Sequence, residues 1–367
     1  MSKAAVHVGL EQPLEVRDDI EVQAPKAGEL RIRIAASGVC HSDLSVQNGT
    51  IPLPPPIVLG HEGAGVIEEL GEGVSGFRVG DHVVLTFVPQ CNDCYTCNHD
   101  QPYICEKSAM LNAGGLLDGT KRLTSGGQPL SQMAGLGTFN ESTIVPAISA
   151  VKIDKDVPLK AAALIGCGVQ TGVGAAINTA SIRKGDTVAV IGCGGVGLNV
   201  VQGARIAGAE RIIAIDMVDT KLQMAKEFGA TDFVNAGEGD PVAQVRQLTG
   251  RGADVAFEVI GLGPTIDQAI NMTRNGGEAI LVGVPRFDVM LNINPALTFL
   301  YTAKTVKGCW YGSTNASKDV PKLLDLYKKG ELKLDELISR EIKLDQVNEA
   351  FDAMKTGEVA RSVIVFD

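Results

Sequence analysis

The chain has no surplus of positive charge: 33 Lys and Arg stand against 43 Asp and Glu, a net charge of −10. With no basic stripe to neutralise phosphates, a nucleic-acid partner is disfavoured, and the acidic balance serves mainly solubility. No stretch approaches the roughly 18 uninterrupted apolar residues of a membrane span. The first residues, MSKAAVHVGLEQPLEV, lack the apolar core of a secretion signal. A cytoplasmic location with no membrane partner is therefore expected. There is also no internal repeat and no long low-complexity linker.

At 367 residues the chain is long enough for two sizeable cores, and needs no disulfide staple on grounds of size. A hydrophobic content of 45%, a charged content of 21% and 43 glycines describe a globular protein with many tight turns. The first 150 residues read as short strands broken by Gly and Pro. In ELRIRIAASGV, Leu30, Ile32 and Ile34 alternate with Arg31 and Arg33, the period of a half-buried strand, and GVIEEL and DHVVLTF look similar. From about Thr187 the texture becomes apolar strands separated by amphipathic helices. TVAVIG, RIIAID, DFVN, VAFEVIG, EAILVGV and TVKGCWYG are six candidate strands of a parallel, doubly wound sheet. Two helices, around DVPKLLDLYKKG and LDQVNEAFDAMKTG, and a last strand, SVIVFD, are expected to return to the first domain.

TVAVIGCGGVGLNVVQGARIAGAERIIAID carries Gly192, Gly194 and Gly197 in G-x-G-x-x-G spacing, after a strand and at the start of a helix. A second strand follows and ends on Asp216. The glycines allow a tight turn, close approach of a pyrophosphate and close helix-to-strand packing. Asp216 would accept hydrogen bonds from the adenosine ribose and repel a 2′-phosphate. Neither Met217 nor Val218 offers a positive charge, so NAD is favoured over NADP.

CNDCYTCNHDQPYIC places Cys91, Cys94, Cys97 and Cys105, four of the chain's eight cysteines, in one short segment. In a reducing compartment such a cluster points to metal rather than disulfides. Two-residue gaps turn neighbouring thiolates onto one ion. Four thiolates close a zinc shell and leave no place for substrate; an iron–sulfur cluster is the competing reading. Elsewhere SGVCHSDLS presents Cys40, VLGHEGAGVI presents His61 beside Glu62, and IGCGVQTGVG presents Cys167. Two thiolates and an imidazole would leave a tetrahedral zinc one open position, as catalysis requires. Spacing alone does not join these three, and each taken singly reads as an ordinary buried residue.

Taken together, GVCHSDL, GHEGAGVIEELGEGV, GDHV, the cysteine segment, GCGVQTGVGAA, GCGGVG with Asp216 and the ending ARSVIVF resemble the zinc-dependent medium-chain alcohol dehydrogenases over essentially the whole chain. The resemblance implies an α/β protein with a GroES-like, β-rich catalytic domain split between residues 1–168 and 312–367. A six-stranded Rossmann domain at 169–311 would bind NAD, and a structural zinc lobe would occupy about 88–110. It implies two zinc ions per chain, one on Cys40, His61 and Cys167 and one on the four clustered cysteines. Glu62 is then the carboxylate that approaches the metal, Asp43 the one that orients the histidine, and Ser42 the hydroxyl that touches substrate oxygen and passes the proton toward the cofactor ribose. His41 and Arg361 match pyrophosphate contacts, Gly195 opens the helix, and Val196 packs beside the nicotinamide. Lys221 flanks the ribose with Asp216, and Val259, Val282 and Val284 line the groove.

The implied reaction is oxidation of a primary alcohol to the aldehyde, and the reverse. Ile51, Phe87, Met110, Met133, Ala134, Trp310 and Tyr311 fall on pocket positions, and their apolar character suits an aliphatic, aromatic or terpenoid alcohol. Three features depart from relatives or divide them. Ser45 stands where many carry a relay histidine. Ile51 and Ala109 stand where the S-(hydroxymethyl)glutathione branch has charged residues. The insertion GGLLDGTKRLTSGGQPLSQMAGLGTF marks relatives that are usually dimers, so a homodimer is expected. A nicotinoprotein that retains NAD tightly shares CHSD, LDGT and LGTF. From outside enzymology, a structural or NADH-sensing protein on the same fold is the alternative, separable by metal analysis and activity.

Overall fold

The computed structural model describes residues 1–356 and 360–366. Gly357 and Asp367, which close two of the expected elements, lie outside the described residues. The chain divides into two compact units, Met1–Cys167 with Asn315–Asp367, and Gly168–Thr314.

In the first unit the strand Glu29–Val39 is the organising element. Leu30, Ile32 and Ile34 are buried, and they share a core with Ile67, Val83, Leu85, Leu136 and Val145. The strand pairs antiparallel with Glu62–Leu70 so that Gly38 faces Glu62, and with Arg361–Val365 so that Val39 faces Ser362. This register carries Cys40, Glu62 and Arg361 to one end of the sheet. Five further strands, Ser2–His7, Glu15–Val22, Leu123–Ser125, Gln128–Gln132 and Ile57–Val58, close a small barrel over Ala4, Val6, Ile20, Val58, Leu123 and Leu130. The insertion is tied to this frame by the buried Arg122 guanidinium, which donates to both carboxylate oxygens of Glu29 at 2.8 and 2.5 Å and to Asp118 at 2.9 Å.

The second unit is a six-stranded sheet in the order Asp232–Asn235, Arg211–Asp216, Thr187–Ile191, Ala253–Glu258, Thr273–Leu281 and Thr305–Gly308. Every neighbouring pair is parallel. Helices Gly195–Ala207, Asp219–Phe228 and Pro241–Thr249 connect the strands, and each ends on a glycine in the left-handed region, Gly208, Gly229 and Gly250. Strand order reverses between Thr187–Ile191 and Ala253–Glu258. That switch point is where open parallel sheets bind ligands.

One element differs from the sequence reading, and another had been given none. TVKGCWYG forms a strand only over Thr305–Gly308, because Tyr311, Gly312 and Ser313 take φ of 52°, 65° and 48° in a left-handed turn. That turn is clamped by Gln170 Nε2 donating to Tyr311 Oη at 2.6 Å and by Asn178 Nδ2 donating to the Gly312 carbonyl at 3.2 Å. The clamp leaves Tyr311 buried in this unit. Second, the Gly-rich segment around IGCGVQTGVG lies in a helical run, Leu159–Thr179, with π-turns at Ile165–Val169 and Ala175–Thr179. This run has the length and composition of a membrane span, but 83% of its apolar window is buried, as in a core helix.

Candidate active site

Cys40, His61, Glu62 and Cys167 come together with their ligand atoms all within 4.8 Å of one another, and all four are buried. Cys40 caps the helix His41–Gln47, and the third residue of that helix, Asp43, holds the cluster from behind. One Asp43 oxygen accepts the Cys40 N–H at 2.9 Å; the other takes the Gly60 N–H at 3.1 Å and His61 Nδ1 at 3.0 Å. With Nδ1 turned to a carboxylate, Nε2 of His61 is the ring nitrogen left for a metal. That atom is buried and has no hydrogen-bond partner. The Phe87 ring meets the imidazole edge-on at 5.7 Å and 89°, fixing the ring plane. Cys167 lies on the π-turn Ile165–Val169, an irregularity common at functional sites.

The electrostatics favour anionic sulfur. Hydrogen bonding with Cys167 pulls the Cys40 thiol well below its ordinary range, against the effect of burial, and His61 and Arg361 add to the pull. Burial lowers the proton affinity of His61, but Asp43 and then Cys40 outweigh it and raise its pKa to about 10. An orphaned imidazole nitrogen, two thiols and a carboxylate fit a zinc ion and the thiolate form it binds. Ser42 Oγ stands 3.9 Å from Cys40 Sγ. Arg361, expected on a pyrophosphate, has its buried guanidinium in a short ion pair with Glu62 through Nη2, while its Nε has no partner. Gly38 was not singled out from sequence: a Cβ there would lie 2.2 Å from Glu62 Oε2. Its only sequence signal is a glycine inside a strand, which marks close approach of another group.

The second cluster has sulfur separations of 3.9 Å for Cys91–Cys97, 3.9 Å for Cys94–Cys105 and 3.5 Å for Cys91–Cys105. A tetrahedral ion with metal–sulfur bonds of about 2.3 Å sets sulfurs about 3.8 Å apart. A disulfide needs about 2.05 Å, and all eight cysteines are free thiols. Sulfurs bound to the separate irons of a cluster stand farther apart than sulfurs sharing one ion, so the geometry fits zinc. Burial raises the Cys97 thiol to about 12. At Cys94 the Thr96 hydroxyl and backbone N–H groups override burial and bring the thiol to about 6.

In the second unit Gly192 has φ of 95°, a Cβ on Gly194 would meet nothing within 4 Å, and one on Gly197 would lie 1.8 Å from the Gly192 carbonyl oxygen. The three positions thus supply a left-handed turn, open space above it, and helix-on-strand packing. Gly195 and Val196 open the helix, half-buried. Asp216 accepts the Cys193 N–H at 2.9 Å and the Val218 N–H at 3.1 Å, tying the turn to the end of the next strand. Lys221 follows on helix Asp219–Phe228. The Val259 N–H bonds the Ile191 carbonyl at 3.0 Å across the switch point; Val282 is buried and Val284 exposed. His41 is exposed in the first unit. Among the expected pocket residues, Ile51 packs on the cluster that contains Met133, Ala134 is buried at φ 53°, and Met110 and Trp310 are 44% and 45% exposed.

Residues 26–155 match the alcohol dehydrogenase GroES-like domain and residues 195–329 the zinc-binding dehydrogenase domain. The chain is 43% identical to the class-3 alcohol dehydrogenase of Drosophila melanogaster over 371 residues, covering 99% of this chain and 97% of that protein. Among solved structures, an alcohol dehydrogenase zinc-binding domain protein from Burkholderia ambifaria superposes with a TM-score of 0.94 at 34% identity. Benzyl alcohol dehydrogenase from Acinetobacter calcoaceticus does so with a TM-score of 0.94 at 31%. Each alignment covers 100% of this chain and 99% of the other. The chain belongs to the zinc-dependent medium-chain alcohol dehydrogenases. It is accordingly an oxidoreductase that acts on alcohols.

Proposed function

We propose that the protein oxidises a primary alcohol, aliphatic, aromatic or terpenoid, to the aldehyde with NAD as hydride acceptor, and catalyses the reverse. One zinc would sit on Cys40, His61 and Cys167 and a second on the four clustered cysteines. The observation that carries the reading is the buried, partnerless Nε2 of His61 beside two thiols. Zinc bound there would supply Lewis acidity that lowers the pKa of the alcohol hydroxyl, and nicotinamide would accept the hydride. The remaining work falls to the chain. Asp43 fixes the His61 tautomer, Ser42 takes the hydroxyl proton at Oγ and hands it outward, and Glu62 is held in place by Arg361. With Ser45 a poor base, the proton ends on solvent or His41.

Asp216 supports NAD over NADP, since its carboxylate would bond ribose hydroxyls and repel a phosphate. Asp216→Ala is expected to raise KM for NAD by about tenfold or more, the worth of a charge-assisted hydrogen bond, and to narrow the preference over NADP. An unchanged NAD/NADP ratio in steady-state kinetics would remove Asp216 from that role. A glutathione adduct is the alternative substrate, but Ile51 packs on an apolar cluster that offers a charged substrate no countercharge. Assay with glutathione and formaldehyde against a panel of simple alcohols separates the two.

We further propose a homodimer in the reducing cytoplasm. Phe287, Met290, Leu297, Leu300 and Tyr301 are exposed, and they precede Thr305–Gly308, an edge strand whose outer side is open to pairing. Light scattering should read about twice the 38.5 kDa chain mass; a monomer at micromolar concentration would contradict this.

A further inference from the structure

Glu258 ends the strand Ala253–Glu258 at the switch point of the parallel sheet, and its side chain is 0% exposed. One oxygen, Oε1, accepts three hydrogen bonds: from the Ile260 N–H at 2.9 Å, the Gly261 N–H at 2.8 Å and the Thr265 hydroxyl at 2.7 Å. The other, Oε2, is buried without a partner. A carboxylate withdrawn from water with half its accepting capacity unused is a costly feature of a fold. What it secures is the turn Val259–Gly261.

That turn is wedged on both sides. A Cβ on Gly192, the first glycine of the dinucleotide turn, would lie 2.6 Å from Ile260 Cγ1. A Cβ on Gly261 would lie 2.5 Å from the Val284 carbonyl, and one on Gly283 would lie 2.2 Å from the Gly261 nitrogen. The Glu258 backbone carbonyl also accepts the Val282 and Gly283 N–H groups, at 2.8 and 3.0 Å. The turn therefore acts as a spacer between the glycine loop and the Gly283–Val284 segment, the two walls of the proposed NAD groove. Removing its three acceptor bonds lets the spacer relax and the walls move.

We infer that Glu258 is a positioning residue for the dinucleotide: its carboxylate sets the Val259–Gly261 turn, and through it the width of the groove and the affinity for NAD(H). This rests on the NAD reading above and adds a residue to it that acts through backbone. The requirement is for an acceptor oxygen at one place, so glutamine, which keeps that oxygen, substitutes for it, and alanine does not.

The test is an NADH fluorescence titration of wild type, Glu258→Ala, Glu258→Gln and Thr265→Val, with alcohol kinetics at saturating NAD. Glu258→Ala is expected to weaken NADH binding about tenfold, and Thr265→Val, which removes one of the three donors, roughly threefold. Glu258→Gln should stay within about twofold of wild type, and KM for the alcohol should not move in any variant. Wild-type affinity in Glu258→Ala, or a loss in Glu258→Gln equal to that in Glu258→Ala, overturns the inference while leaving the NAD reading intact. If Glu258→Ala does not fold, wild-type affinity in Thr265→Val decides against it. Failure of the wild-type protein to bind NADH would instead remove the NAD reading, and this inference with it.

Discussion

Replacing His61 by alanine is expected to lower alcohol turnover by about a thousandfold or more while leaving the fold and its melting temperature nearly unchanged. A metal's Lewis acidity contributes several kcal/mol to such a reaction, and each ~1.4 kcal/mol is tenfold in rate. The fold should survive because the local backbone does not depend on the ring. Asp43 would still accept the Cys40 and Gly60 N–H groups at 2.9 and 3.1 Å, so the strand end and the helix His41–Gln47 keep their anchor. The ring is buried between Asp43 and Phe87, and its loss opens a small polar cavity that water can fill. The measurement is zinc per chain by elemental analysis, together with circular dichroism and turnover on a simple primary alcohol. Loss of one zinc and of activity, with an unaltered spectrum, is the expected triad. Turnover near the wild-type rate would sink the assignment of the catalytic centre to Cys40, His61 and Cys167.

The opposite pattern is expected for Cys105→Ser. Cys105 is the most buried of the four clustered cysteines, and its sulfur stands 3.5 Å from Cys91 and 3.9 Å from Cys94. The lobe that carries them contains little regular structure, a four-residue helix at Tyr95–Asn98 and a single 3-10 turn at Pro102–Ile104. Such a segment would depend on a bound ion for its order. Losing one thiolate ligand is expected to cost about 3–5 kcal/mol, which in a protein of this size lowers the melting temperature by roughly 10 °C. Zinc content should fall by one ion per chain, and soluble yield with it. The molecules that remain folded should retain turnover, because four thiolates leave no position for substrate. Preserved stability in Cys105→Ser would show the lobe to be held by something other than the metal.

The contrast between these two clusters follows how each was legible in the amino-acid order. Cys91, Cys94, Cys97 and Cys105 could be joined on paper, because two-residue gaps place neighbouring side chains within one turn of backbone and so onto one ion. The glycine turn was legible for the same reason: strand, Gly192-x-Gly194-x-x-Gly197, helix and a strand ending in Asp216 form one continuous unit whose parts pack on their neighbours. The parallel sheet followed from apolar runs alternating with amphipathic helices. Cys40, His61 and Cys167 are different. Only the resemblance to a family connected them, since nothing local specifies that they meet.

The amino-acid sequence by itself therefore determined the doubly wound sheet, its glycine turn and the four-sulfur lobe, all set by contacts between residues close along the chain. Tertiary structure alone decided the rest. Pairing of Gly38 with Glu62 and of Val39 with Ser362 brings Arg361 onto Glu62 beside Cys40. The π-turn at Ile165–Val169 carries Cys167, and a clamp of side chains from Leu159–Thr179 holds Tyr311–Ser313 left-handed, ending a strand that its apolar residues would have continued. The physical reason is that side-chain period and turn chemistry are short-range properties, whereas strand register is settled by which distant faces bury each other, and the candidate catalytic constellation is assembled by register.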